Sequence, residues 1–95
     1  MKKQFLLYGA TSNLSKLYLI PSLYQLWRRG EQFKVIAIGL EKWSTEEFCH
    51  NILVAMKEYK SAPEGIDHDW NLFCHQSIVY IFLDLEANYE LPNVA

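Results

Sequence analysis

Only two cysteines, Cys49 and Cys74, occur in the 95 residues of this chain. That is too few for the disulfide framework of a small secreted domain, and it fits reduced thiols in a cytoplasmic protein. Glycine and proline are also scarce, at four and three, and no segment is of low complexity, which excludes collagen-like and disordered classes. There is no basic run, and the formal net charge is -2. Non-specific binding to nucleic acid or to an acidic membrane needs clustered Lys and Arg, so neither is expected as a partner. The pair Arg28 and Arg29 falls where a helix should end, a place that suits cations. No apolar run approaches the roughly 18 residues of a membrane span. Lys2 and Lys3 followed by Phe5, Leu6 and Leu7 imitate the start of a secretory signal. The apolar stretch breaks at Thr11, short of the roughly 7–15 residues that an h-region requires.

What is present is globular material: 51% hydrophobic residues, 15% aromatic and 21% charged. The length allows one small domain that buries about 60–65% of its unfolded surface. Its organising stretch is Phe5 to Pro21. An apolar run gives way at Gly9 to small and polar residues, then resumes at Leu14 with helical spacing. This is the strand, tight turn and helix of a nucleotide-binding βα unit. A helix starting directly after a strand leaves unpaired N–H groups and the positive end of its dipole at the strand's C-terminal edge, where a phosphate can dock.

Taken in order, Phe5 to Tyr8 reads as a buried strand, because its apolar residues run without alternation. Asn13 is the expected N-cap of a helix beginning at Leu14. Leu14, Leu17 and Tyr18, then Ile20, Leu23, Tyr24 and Trp27, form its apolar stripe. Pro21 removes one helical N–H, which predicts either a kink or a second helix with Pro21 in its opening turn. Gly30 is the stop. Phe33 to Gly39 is the clearest strand, rich in β-branched residues and expected to pair parallel to the first. The Gly9 and Gly39 turns would then share one crevice. Ser44 and Glu47 form a capping box flanked by Trp43 and Phe48. Phe48, Ile52, Ala55, Met56 and Tyr59 mark the buried face of the helix that follows. After a loop at Ser61 to Gly65 come a short helix around Asp69 to His75 and a third strand, Ile78 to Leu83. The tail from Asp84 to Ala95 carries little pattern beyond a possible helical turn. The fold class is α/β: a partial Rossmann-like three-layer fold with a small parallel sheet of about three strands and helices on its faces, in a single partial domain over residues 1–95.

Gly9-Ala10-Thr11-Ser12-Asn13-Leu14-Ser15-Lys16, followed by Leu19-Ile20-Pro21, resembles the N-terminal coenzyme signature of the glucose-6-phosphate dehydrogenase family: Gly-x-x-Gly-Asp-Leu-Ala/Ser, a basic pair, then Leu-x-Pro. The likeness continues through Ser22 to Gly30, Val35 to Gly39 and Trp43 to Phe48, and spans Phe5 to about Tyr89. It implies a coenzyme site for NADP or NAD at Gly9, Ala10, Thr11, Ser12, Asn13, Leu14, Ser15 and Lys16, with Lys42 beside Glu41 at the end of the second strand. Lys42 would attract a 2′-phosphate, whereas Glu41 would accept bonds from a free ribose 2′-OH and repel a phosphate. The resemblance also implies the family's reaction, oxidation of glucose 6-phosphate with transfer of the C1 hydride to NADP or NAD in the first step of the pentose phosphate route.

Departures fall at several of these positions. Ser12 stands where the family has its second glycine, and a left-handed backbone there would cost roughly 1 kcal/mol. Asn13 replaces an aspartate. Leu17 and Tyr18 replace the basic pair, whose second member is implicated in substrate binding, and a phenol does not carry a fixed positive charge at neutral pH. The family's histidine base and most of its sugar-phosphate site belong to a second domain later in a longer chain. None of His50, His68 or His75 lies in that motif, so no catalytic residue is assigned here. Glucose 6-phosphate is accordingly a partner of the full-length family only.

Cys49-His50 and Cys74-His75 match no zinc spacing, and no metal is expected. Gly9 to Lys16 lacks the Gly-Lys-Ser/Thr ending of a Walker loop. Beside weak coenzyme binding stand two other readings: a non-enzymatic fragment that associates with itself or a longer relative through an open sheet edge and an uncovered apolar face, and a degenerate remnant without activity.

Overall fold

The computed structural model describes residues 3–83. Three parallel strands, β1 (Lys3–Tyr8), β2 (Phe33–Gly39) and β3 (Ile78–Phe82), form one sheet in the order β1-β2-β3. β1 pairs with β2 from Lys3 opposite Phe33 to Tyr8 opposite Ile38. β3 pairs with β2 from Ile78 opposite Val35 to Phe82 opposite Gly39. The helices are α1 (Ile20–Arg28), entered through a π-helical segment Ser15–Leu19, then α2 (Thr45–Glu58) and α3 (Ile66–Ser77).

Pro21 accounts for the π segment. In an α-helix its ring would press on the carbonyl four residues back, and no N–H would reach that acceptor. Widening the preceding turn relieves the contact. Ser22 Oγ then takes up the Tyr18 carbonyl at 2.7 Å. Pro21 itself sits in the first turn of α1, the second of the two expected outcomes. At the far end Gly30 adopts φ +95, and the Glu31 N–H reaches the Leu26 carbonyl at 3.2 Å, which is a Schellman stop.

α2 begins with the expected capping box: Ser44 Oγ accepts from the Glu47 N–H and Glu47 Oε1 accepts from the Ser44 N–H, each at 3.1 Å. Its buried side is Phe48, Cys49, Ile52, Ala55 and Met56. Tyr59, expected on that side, is 63% exposed, because it is the residue at which the helix stops and the chain turns away. α3 is longer than the short helix anticipated over Asp69 to His75. It starts at Gly65, whose φ is +77, with its first amides bonded back to Pro63 and Gly65.

Tyr24 of α1, Phe48, Ile52 and Met56 of α2, and Trp70 and Phe73 of α3 join Phe33, Val35, Ala37, Ile78 and Tyr80 in one core. Those strand residues alternate along β2 and β3, so they share one face of the sheet. The residues between them, Ile36, Ile38, Val79 and Ile81, point to the other face and are half-buried or exposed. The α/β Rossmann-like class stands, but the described helices cover one face rather than two.

β1 differs from its expectation. Leu6 is 61% and Tyr8 70% exposed, and only Leu7 packs against the core from that strand with Phe5 edge-on to Phe33. A continuous apolar run fits a strand paired on both sides and covered on both faces. Among the described residues, β1 is an edge strand with one face bare. β3 ends at Phe82 instead of Leu83. The expectation for Asp84 to Ala95 lies outside the described residues.

Candidate coenzyme-binding turn

Gly9 turns the chain out of β1 with φ +65, a conformation that glycine adopts without penalty. The Ala10 N–H bonds to the Ile38 carbonyl at 3.0 Å. That bond ties the turn after β1 to the last residues of β2, so the Gly9 and Gly39 turns do lie together at one edge of the sheet. Gly39 is hemmed in: a Cβ there would stand 3.0 Å from Thr11 Cγ2 and 2.7 Å from the Tyr80 hydroxyl. Its lack of a side chain is a packing requirement of this crevice.

The helix start is capped by Ser12, not by Asn13. Ser12 Oγ accepts from the Ser15 N–H at 3.3 Å, and the Ser12 carbonyl accepts from the Lys16 N–H at 2.9 Å. Ser15 Oγ donates to the Gly9 carbonyl at 3.1 Å, closing a small ring of bonds around the turn. A hydroxyl on a short stem reaches the third amide of the helix as readily as an amide oxygen does, and Ser12 precedes the first helical residue where Asn13 does not. Ser12 also escapes the strain expected of it, since Lys60 is the non-glycine residue with positive φ among those described.

The nine candidate residues therefore separate by what each presents. Ala10 is fully buried and Ser15 2% exposed, so their side chains brace the turn from inside. Thr11 lies half-buried against Gly39. Gly9, Ser12, Asn13 and Leu14 are exposed, and Lys16 is half-buried. The amides of Thr11, Asn13 and Leu14 have no hydrogen-bond partner among the described residues. Two of them are consecutive N–H groups in the first turn of a helix, where orphan donors and the dipole favour an anion. Lys42 is exposed in the loop after β2, next to an exposed Glu41.

That loop is pinned by a residue the sequence reading passed over. Tyr80 of β3 donates its hydroxyl to the Glu41 carbonyl at 2.6 Å, and the same carbonyl accepts from the Trp43 N–H at 2.8 Å. Tyr80 stacks on Phe48 with ring centroids 4.6 Å apart, and burial pushes its phenol above the ordinary value. A tyrosine at an inward position of a buried strand must find a partner for its hydroxyl, and this was the available signal.

Tyr18, at the position of the family's second basic residue, is 64% exposed on the π segment. His50 and His75 lie instead beside a cavity between α2 and α3 that Cys49 and Cys74 also line. Among the described residues no group of three or more His, Cys, Asp or Glu side chains is placed to hold a metal ion. No described helix is long and apolar enough to cross a membrane.

Residues 6–94 match the family described as glucose-6-phosphate dehydrogenase, NAD binding domain. The chain belongs to the glucose-6-phosphate dehydrogenase family. Its similarity to the glucose-6-phosphate 1-dehydrogenase of Bacillus subtilis (strain 168) is 27% identity over 106 aligned positions, covering 97% of this chain and 21% of that protein. Among solved structures, the glucose-6-phosphate 1-dehydrogenase of Mycobacterium avium shares the fold with a TM-score of 0.71 at 18% identity, over 87% of this chain and 18% of the other. A glucose-6-phosphate dehydrogenase in complex with its substrate glucose-6-phosphate superposes with a TM-score of 0.67 at 25% identity, over 86% and 17%. The chain spans about a fifth of the length of these glucose-6-phosphate dehydrogenase relatives, and the part it spans is the dinucleotide-binding front.

Proposed function

We propose that residues 1–95 form one partial dinucleotide-binding domain, and that the turn from Gly9 to Lys16 receives the diphosphate of NADP or NAD. The observation that carries this reading is the pair of amides of Asn13 and Leu14, without a partner among the described residues, at a helix start directly after a parallel strand. The Ala10 N–H bond to the Ile38 carbonyl, which holds this turn beside the end of β2, supports it. Lys42 would attract a 2′-phosphate and Glu41 would oppose it, so the choice of coenzyme rests on that loop. Bound there, the dinucleotide would supply the hydride acceptor for oxidation of glucose 6-phosphate, the substrate named for the solved relative. This chain's own part would be to hold and orient the coenzyme. None of His50, His68 and His75 lies in the family's catalytic motif, so the chain alone is expected not to turn over. Placement in the cytoplasm follows from the same family reading.

Ser12 makes the proposal testable. Its hydroxyl occupies the Ser15 amide, which a glycine would leave free for an incoming phosphate. In calorimetric titrations with NADP and with NAD, Ser12→Gly should bind about 5-fold tighter than the wild type, the worth of roughly 1 kcal/mol from one more amide donor. Equal, undetectable binding by both proteins would sink the reading.

A second reading is favoured by the exposed Leu6 and Tyr8 and by the outer edge of β1, which has no partner strand among the described residues. Through this edge and the bare sheet face the chain would pair with a second copy of itself or with a longer relative. Concentration-dependent sedimentation distinguishes it from a coenzyme-binding monomer.

A further inference from the structure

Outside the coenzyme turn, α2 and α3 bring together the two cysteines of the chain. Cys49, in the second turn of α2, and Cys74, near the end of α3, are 5% and 7% exposed. They stand 25 positions apart in sequence, on different helices, and both are free thiols. Both line a cavity of about 640 Å³ whose wall also includes Thr45, His50, Asn71 and His75. The backbone around them is anchored. Trp70 donates its indole N–H to the Cys49 carbonyl at 3.1 Å, and Thr45 Oγ1 accepts from the Tyr80 N–H at 3.0 Å. The two thiols are thus held at a fixed packed interface, with an open approach for a small solute.

We propose that Cys49 and Cys74 are a reversible dithiol site, at which a low-molecular-weight disulfide such as oxidised glutathione converts the pair into an intramolecular disulfide that clamps α2 to α3. In the first step one of the two cysteines, as its thiolate, attacks one sulfur of oxidised glutathione, forming a mixed disulfide and releasing one glutathione thiolate. In the second, the other thiol gives up its proton and its sulfur displaces the second glutathione from the first cysteine. The net exchange consumes one glutathione disulfide and yields two glutathione thiols, so two electrons pass from the protein to glutathione. A hydrogen bond with Cys49 and burial together push the Cys74 thiol well above the ordinary thiol value. Only a thiolate attacks, and the single-cysteine variants identify which of the two does so first.

Both thiols are already placed on one cavity at the α2–α3 interface, so the folded chain should form the bond more readily than the unfolded chain. The experiment equilibrates the full chain with reduced and oxidised glutathione in native buffer and in urea, followed by mass spectrometry and peptide mapping. In native buffer the expected product has lost about 2 Da, carries no glutathionyl group, and shows a Cys49–Cys74 peptide that dithiothreitol separates. Its equilibrium constant should exceed the value in urea by about 10-fold or more, the signature of thiols pre-placed by the fold. Cys74→Ser and Cys49→Ser should each trap one glutathionyl group on the remaining cysteine, the faster reaction marking the attacking thiol. Circular dichroism of both variants verifies that they fold. If either does not, the native-to-urea ratio of the wild type decides. A ratio at or below one, or native oxidation that stops at glutathione adducts on both cysteines, would overturn the proposal.

Discussion

Ser12 illustrates how one side chain both builds and obstructs a site. Its oxygen completes the ring of bonds that holds the turn, and in doing so it removes one donor from those an anion could use. The Asp69 carboxylate plays a purely structural part of comparable density. It accepts from the Tyr24 hydroxyl and from Arg28 Nε at 3.2 Å and Nη2 at 3.3 Å, tying α1 to α3. Arg28 also lies 4.5 Å over the Tyr24 ring. Burial acts to raise the Asp69 carboxyl, but the hydrogen bonds from Arg28 and Tyr24 outweigh it and hold the group below the usual carboxylate range. The unfolded chain therefore takes up this proton first as the pH falls. The contribution is complete above the unfolded value of about 3.9 and is lost as the pH drops through the folded one. Asp69→Asn is expected to cost about 1–3 kcal/mol at pH 7 in urea unfolding, and to flatten the acid limb of the stability curve. Gly39→Ala should cost a further 1–3 kcal/mol, approximately, since its Cβ would drive the Tyr80 hydroxyl off the Glu41 carbonyl. Comparing its urea midpoint with that of wild type measures the effect.

Two helices end in the same motif with different residues in the left-handed position. α1 ends at Gly30, and α2 ends with Lys60 at φ +55 while the Ser61 N–H reaches the Met56 carbonyl at 2.8 Å. A residue with a Cβ pays roughly 1 kcal/mol there. Lys60→Gly is expected to raise stability by up to about 1 kcal/mol, and Gly30→Ala to lower it by a similar amount. Thermal melts of the pair would show shifts of opposite sign. The start of α2 is legible from Ser44 and Glu47 because a capping box is a local arrangement of four residues. The π segment before Pro21 is a local response too, but the sequence alone offered a kink or a new helix start equally, and packing of Ile20, Pro21 and Tyr24 into the core favours the latter.

At the scale of the molecule the two sheet edges are unlike. β3 has its Tyr80 N–H taken by Thr45 Oγ1, so α2 blocks part of that edge, whereas β1 has no neighbour on its outer side among the described residues. Unpaired strand edges beside exposed apolar side chains recruit other chains. Leu6→Lys places a charge on the bare face next to that edge and should shift any sedimentation profile toward monomer at micromolar concentration. An unchanged profile would assign the association, if present, to another surface. Because Leu6 lies on the face away from the helical core, the same substitution should leave the thermal midpoint nearly unaltered.

The sequence by itself determined the order and kind of the elements, the parallel pairing of the first two strands and the meeting of the Gly9 and Gly39 turns, because these follow from periodicity, capping and glycine placement within short windows. Resemblance in the same stretches led to the family. Only the tertiary structure decided which faces are covered, since Leu6 and Tyr8 read as core until their missing neighbours are counted in space. It alone transferred the cap from Asn13 to Ser12, which turns on a reach of one residue, and found Tyr80 beneath the loop of Glu41 and Lys42. It also placed Cys49 and Cys74 on one cavity, since the approach of residues 25 positions apart is fixed by how two helices pack and has no signature in either segment.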